Sequence, residues 1–403
     1  MGKPLKQLMS ALRFEPHSEA EQVAGIYITD NHIHAMSGQV YKETIPPRKE
    51  YRDYYARYYP IIVQEAGRVS IPADKNNLTR QLQEIAKCMS DALPKVRAVG
   101  VGSYGPFGSV DIDDRPEPEL NGRPSNVAKP RGKTYGAVLK SDVRTHFGAG
   151  DNLYELIASP FHRAGRETEI LIRTDVAVSA FAEAVLDQYK NYVGALKVNP
   201  DQSWDAIVND RSWTAATDRH VVACIKASVG VGGAIVAGRD FWPHARSSEM
   251  GNIHVAIDKR DLWAVSKADI YSTQIERLIS QKALEARLTY MNSSLTLEEL
   301  YAGCDGDPDA EAIWSSFAFY VAQICVAITT TALPDRIILT GRSLKVKGVI
   351  KLVRSRFKKL MQEIPQAVSQ FRKDTWNNEG YLAEPMSTNN GLHGATMLAA
   401  TAL

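Results

Sequence analysis

Between Val23 and Pro46 apolar and polar positions alternate, and Asp30-Asn31 and Ser37-Gly38 stand where tight turns belong, so the period of two predicts an antiparallel meander. A helical period takes over in NNLTRQLQEIAKCMSDAL, which opens on an asparagine cap. VRAVGVGSYG then reads as a buried strand ending in glycines. Strand, helix and strand in this order predict an α/β lobe. From residue 111 to about residue 150 the chain is rich in Pro, Gly and charge and reads mostly as loop. ETEILIRTDVAVSAFAEAVLDQYK reads as strand, turn and helix, and a polar stretch over 198–219 precedes the strands in HVVACIKASVG and GGAIVAG. The segment DAEAIWSSFAFYVAQICVAITTTALP is apolar almost all round, which predicts a buried helix. DRIILTG is a strand feeding the helix KGVIKLVRSRFKKLM, and NNGLHGATMLAATAL closes the chain as a small-residue helix. An amphipathic leader precedes the first strand, and the tyrosines at 51, 54, 55, 58 and 59 read as a surface insertion. No repeat recurs at solenoid spacing.

With 403 residues, 44% of them hydrophobic, the chain can bury the cores of two lobes. Its 48 basic and 46 acidic residues leave a net charge of +2, so no overall field draws it to nucleic acid or an anionic membrane. The four cysteines (Cys88, Cys224, Cys304, Cys325) form no C-x-x-C pair and read as reduced core residues. No run of about 18 apolar residues occurs, and the expectation is a soluble, cytoplasmic protein.

The chemistry concentrates in SVGVGGAIVAGRDFWPHARSSEMGNIHV, from Ser228 to Val255. Glycines between two strands suit a hairpin whose bare amides converge on an anion, although an ordinary glycine hairpin has the same signature. Five segments in order carry a resemblance to the ROK sugar-kinase family and, within it, the fructokinase-like branch. VGVGSYGPFG resembles the family's glycine-proline turn, and TDVAVSAFAE its Asp-containing helix start. VGVGGAIVAGRDFWPHARSSEMGNIHV resembles its nucleotide hairpin and Glu-x-Gly-His element, IILTG its adenosine-side strand, and NNGLHGATMLA its terminal helix.

The resemblance implies a two-lobed actin/hexokinase-like (ribonuclease H-like) α/β fold, with mixed sheets flanked by helices and with ATP and sugar bound between the lobes. The expected division is a leader over 1–22, an N-terminal lobe over 23–170 completed by the helix at 388–403, and a C-terminal lobe over 171–387. The implied activity is transfer of the ATP γ-phosphate, with Mg²⁺, to a hydroxyl of a sugar or sugar-like molecule. Asp175 corresponds to the family's catalytic base, and a carboxylate there can accept the hydroxyl proton; Asp at a helix start also serves as an N-cap. Glu249 corresponds to the sugar-binding Glu, and Asn252 stands where the family has a His that binds zinc or sugar. Asp142 and His146, with Arg144, fall in the region of the sugar loop. Thr29, Asp30, Ser228, Gly230, Gly232, Gly233 and Gly341 are the positions matched to nucleotide contacts. Family members commonly form dimers, so a homodimer is expected.

The departures are specific. Where the family has an acidic residue followed by Gly-Gly-Thr, this chain has Tyr27-Ile28-Thr29-Asp30-Asn31, and bulkier residues obstruct the backbone's approach to phosphate. VAIDKRDLWAVSKADIYSTQ contains no Cys or His, so no structural zinc is expected. His32 and His34, two apart on a strand, have no named third ligand. The basic positions from Lys345 to Lys359 read as a solvated helix face. Only about two dozen residues precede the first strand, too few for a helix-turn-helix module, so DNA binding is not expected. The rival reading is a catalytically lapsed member that binds sugar or nucleotide as a sensor or subunit; a third is a different group transfer using the same Asp.

Overall fold

The computed structural model of the chain describes residues 3–16, 18, 20–29, 31–41, 63–74, 77–103, 107–111, 133–138, 153–163, 168–198, 220–238, 240–242, 249–267, 273–303, 306–364, 373–387 and 389–403. The chain forms two compact units. One contains Met1–Ala182 and Gly391–Leu403, and the other contains Glu183–His244 and Ser248–Asn390.

In the first unit α1 (Lys3–Leu12) precedes β1 (Ala20–Ile28), β2 (His32–Tyr41) and β3 (Gln64–Pro72). Then come α2 (Leu78–Ala92), β4 (Val96–Ser103), β5 (Phe107–Asp111), β6 (Lys133–Val138), α3 (Leu153–Arg163) and β7 (Glu169–Thr174). The main sheet has the order β3-β2-β1-β4-β7, with β4 and β7 parallel to β1 and the first three strands antiparallel. Apart from Arg97, β4 is buried along its whole length, as its central place demands. Helix α2 buries Leu78, Leu82, Ile85, Ala86 and Met89, spaced along one face, in a core shared with Leu8 and Leu12 of α1.

Several expectations change here. Ser37-Gly38 is not a turn but lies inside β2, where the pairing with β3 shifts register. Strand β3 has no clean alternation because it is an edge strand that buries only Ile71. The stretch read as loop from residue 111 contains β6, which pairs antiparallel with β5, a strand that ends at residue 111. Asn77 occupies the N-cap of α2 without a side-chain capping bond. The tyrosine-rich segment and residues 199–219 lie outside the described residues.

Helix α4 (Asp175–Val198) follows β7 with no intervening turn and runs from the first unit into the second. Next come β8 (Val221–Ala227), β9 (Val231–Ala237), β10 (Asp240–Trp242), a 3₁₀ turn (Met250–Asn252), α5 (Leu262–Ser266), α6 (Ile275–Ile279), α7 (Gln281–Tyr290) and α8 (Leu297–Ala302). The remainder is α9 (Pro308–Ala332), β11 (Arg336–Thr340), a second 3₁₀ turn (Ser343–Lys345), α10 (Val349–Glu363), α11 (Lys373–Trp376), β12 (Leu382–Ala383) and α12 (Asn390–Ala400). The sheet order is β10-β9-β8-β11-β12, again an antiparallel meander continued by two parallel strands. The same plan is therefore used twice, with α2 and α3 of the first unit answered by α9 and α10 of the second, although no sequence repeat announces it.

Helix α9 starts at a proline, and Asp307 accepts the amides of Asp309 and Ala310. By length and composition α9 is able to cross a bilayer, but two thirds of its most apolar window is buried within the protein. Ile313, Phe317, Tyr320, Val321, Ile324 and Ile328 of this helix belong to the second unit's core. Its neighbourhood also holds a buried polar cluster. Arg287 pairs with Asp261 at 2.5 Å, the Tyr320 hydroxyl donates to Asp261 at 2.9 Å, and the Arg287 guanidinium lies 4.3 Å from the centre of the Trp263 ring. Burial and the Asp261 carboxylate both push the Tyr320 phenol up. Cys88, Cys224 and Cys325 are buried and form no disulfide among the described residues.

Candidate functional site

Glu249 opens the 3₁₀ turn over Met250–Asn252. Its Oε2 accepts Nδ2 of Asn252 at 3.2 Å, while the Asn252 backbone amide donates to the Glu249 carbonyl at 3.0 Å. Both side chains are exposed. Two residues matched to substrate from sequence are thus joined. Together they offer carboxylate oxygens that accept and an amide that both donates and accepts, a set suited to neighbouring hydroxyls.

The glycine run explains how this turn is held. A Cβ on Gly233 would stand 2.2 Å from Sδ and 2.8 Å from Cβ of Met250, and a Cβ on Gly251 would stand 2.4 Å from the Val231 carbonyl oxygen. Bare backbone therefore lets the buried Met250 lie directly on β9, which sets where Glu249 and Asn252 emerge. The hairpin turn expected at the glycine run is displaced. The turn between β8 and β9 is Ser228, Val229 and Gly230, whereas Gly232 and Gly233 are strand residues opposite Lys226 and Ile225. Ser228 N–H donates to the Gly230 carbonyl at 2.9 Å, and the Gln281 amide at the start of α7 donates to the Ser228 and Val229 carbonyls at 3.2 and 3.3 Å.

Gly341 follows β11 at φ +101°, where a Cβ would stand 2.1 Å from the Ala227 carbonyl oxygen, so both conformation and space require glycine. The next residue, Arg342, pairs with Glu298 and lies 4.1 Å from the centre of the Tyr301 ring. Burial pushes the Tyr301 phenol up.

In the first unit, Asp175 is the first residue of α4 and is 8% exposed. Its Oδ1 accepts the Val176 amide at 2.8 Å, while Thr174 takes the capping role by accepting the Ala177 amide through Oγ1 at 3.3 Å. The carboxylate therefore sits at the positive end of a long helix without being its cap.

The first hairpin is closed by its own side chain. Thr29 Oγ1 donates to the His32 carbonyl at 2.9 Å and accepts the His32 amide at 3.1 Å, and Thr29 N–H donates to the same carbonyl at 2.8 Å. The Tyr27 ring lies against two glycines: a Cβ on Gly391 would stand 2.2 Å from its Cζ, and one on Gly102 2.9 Å from its Cδ2. On the adjoining strand, His34 faces Tyr27 with ring centres 6.2 Å apart and stacks on His32 at 5.8 Å. Burial, helped by His32 and Arg68, lowers His34. The aromatic seat of Tyr27 had no local signal, since Gly102 and Gly391 are far away in sequence. Asp30, Asp142, Arg144 and His146 lie outside the described residues. Among the described residues, no group of three or more His, Cys, Asp and Glu is placed to hold a metal ion.

Two units of one mixed-sheet plan, with carboxylates at a strand-to-helix junction and on a short turn, define a hexokinase-like α/β protein. Residues 206–402, just under half of the chain, match the model of the ROK family. A ROK hexokinase from Thermus thermophilus is similar over 94% of this chain and 97% of its own, with TM-score 0.56 and 15% identity. A glucokinase from Balamuthia mandrillaris in complex with glucose is similar over 99% of both chains, with TM-score 0.55 and 12% identity. A ROK family transcriptional regulator, a homolog of the E. coli MLC protein, is similar over 94% of this chain and 78% of its own, with TM-score 0.56 and 12% identity. At these identities the likeness is one of fold, and the fold is that of ROK kinases and regulators alike. The sequence matches no curated protein.

Proposed function

We propose that this protein recognises a sugar or sugar-like polyhydroxyl compound through Glu249 and Asn252, and that it acts as a sensor or subunit rather than as a phosphotransferase. Support for recognition comes from the hydrogen-bonded Glu249–Asn252 pair, exposed on a turn that Met250 anchors. The observation that carries the lapse of transfer is Tyr27. ATP with Mg²⁺ asks for a carboxylate and bare backbone amides at the first hairpin. That position holds a phenol ring seated on Gly102 and Gly391, followed by a Thr29 hydroxyl already engaged with His32. Among the described residues of this hairpin, Tyr27 and Thr29 do not fit a metal–phosphate group.

A second reading, phosphoryl transfer from ATP, is favoured by the buried Asp175 carboxylate and by Gly341, both at positions the resemblance matches to chemistry. In that reading Asp175 takes the hydroxyl proton. A thermal-shift panel of hexoses, amino sugars and ATP with Mg²⁺ separates the two, because a ligand at a hundred times its Kd adds about 2.7 kcal/mol to stability. The first reading expects a sugar to stabilise the wild type but not Glu249→Gln, and expects no effect of ATP with Mg²⁺. Phosphorylated sugar formed by the wild type and lost in Asp175→Asn would replace it with the second. Sugar stabilisation unchanged in Glu249→Gln would remove the assignment of this site.

A further inference from the structure

Among the described residues, the chain passes between its two compact units after Ala182, within α4, and again after Asn390, at the start of α12. Glu183 is the first residue beyond the first passage and is fully buried. Its Oε1 accepts the backbone amide of Met386 at 2.9 Å, four residues ahead of the second passage and 203 residues away in sequence. Its Oε2 pairs with Arg336 Nη2 at 3.3 Å, and the same nitrogen donates to the Glu183 carbonyl at 3.0 Å. Arg336, at the start of β11, also pairs through Nη1 with Asp187 Oδ1 at 3.0 Å. His220 Nε2 then meets Asp187 Oδ2 at 2.8 Å, and its Nδ1 lies 3.4 Å from Asp335 Oδ2. The Asp335 carboxylate accepts the Val221 amide at 2.7 Å. One polar chain thus joins α4, the starts of β8 and β11, and the segment that leads into α12. Neither the sugar reading nor the kinase reading uses any of these side chains.

We propose that Glu183 is a clasp that fastens the segment before α12 to α4, so that the two passages of the chain are held together as one conformational element. The argument is one of reach and burial. Residues 384–387 form no ladder with a strand, and Met386 N–H finds its acceptor on a side chain rather than on backbone. A buried carboxylate must be hydrogen-bonded to persist, and this one divides its oxygens between the Met386 amide and Arg336. Removing it leaves Arg336 with Asp187 and the Glu183 carbonyl, whereas the Met386 amide loses the acceptor that holds it.

The test is hydrogen–deuterium exchange on the full chain, read in the peptide covering residues 381–387, with peptides from β8 and α9 as references. In Glu183→Ala the clasp segment is expected to exchange about tenfold faster than in the wild type, with the references unchanged within twofold. Glu183→Asp keeps the charge but shortens the reach by one methylene. It is expected to show the same localised acceleration, so the question remains decidable if the alanine variant does not fold. Exchange of the segment within twofold of wild type in the folded variant, or an equal acceleration in all three peptides, would overturn the proposal. Neither result depends on whether the protein binds a sugar.

Discussion

Gly233→Ala probes how the candidate site is built. The added methyl would stand 2.2 Å from Met250 Sδ, 2.9 Å from its Cγ and 2.8 Å from its Cβ. Sulfur and Cγ can swing aside by a rotamer change, but Cβ is fixed to the backbone of the 3₁₀ turn, so relief requires the turn itself to shift. Overpacking of this kind costs about 1–3 kcal/mol. It should also displace Glu249 and Asn252, the neighbours of Met250 along the turn. Met250→Ala alone leaves a cavity and costs about 2–5 kcal/mol. In the double variant the new methyl occupies part of that cavity, so the combined loss should fall short of the sum by about 1 kcal/mol or more. Urea unfolding of the four proteins completes the cycle, and sugar affinity measured on the folded variants reports the displacement. If Gly233 served a ligand and not Met250, Gly233→Ala would keep wild-type stability and the two changes would add. That result would refute the packing argument.

Asp261→Ala leaves Arg287, 3% exposed, without its carboxylate, and should cost about 3–5 kcal/mol in urea unfolding, whereas replacing both partners by apolar residues should cost far less. Burial pushes the Glu183 carboxyl up, outweighing Arg336. The folded protein therefore holds that proton at a pH where the unfolded chain releases it. The associated stability is full below the ordinary Glu value of about 4.3 and is lost as pH rises through the raised one. Glu183→Gln has no such proton, so the stability of the wild type relative to this variant should fall as pH is raised through that window; a difference independent of pH would contradict it. Thr296→Ala removes the side chain that accepts the Glu299 amide in a capping box at the start of α8, and a loss of about 0.5–2 kcal/mol is expected from thermal unfolding.

The local periods of the chain determined most of its elements: the meander around Val23, the amphipathic α2, the apolar α9 and the small-residue α12 follow from which positions can be buried together. The candidate carboxylates Asp175 and Glu249 were legible only through the resemblance of TDVAVSAFAE and SSEMGNIHV to the family's motifs, not through their spacing. What glycine does at 232–233 was not legible, since a missing Cβ serves a turn, an anion or a close neighbour equally well, and only the position of Met250 selects among them. Strand β3 escaped because an edge strand with one buried side chain carries no period. The seat of Tyr27 on Gly102 and Gly391, the bond from Met386 to Glu183 and the twofold use of one sheet plan join residues from distant parts of the chain. Such contacts exist only after the chain has folded, because a side chain's partner across space leaves no imprint on its neighbours in sequence.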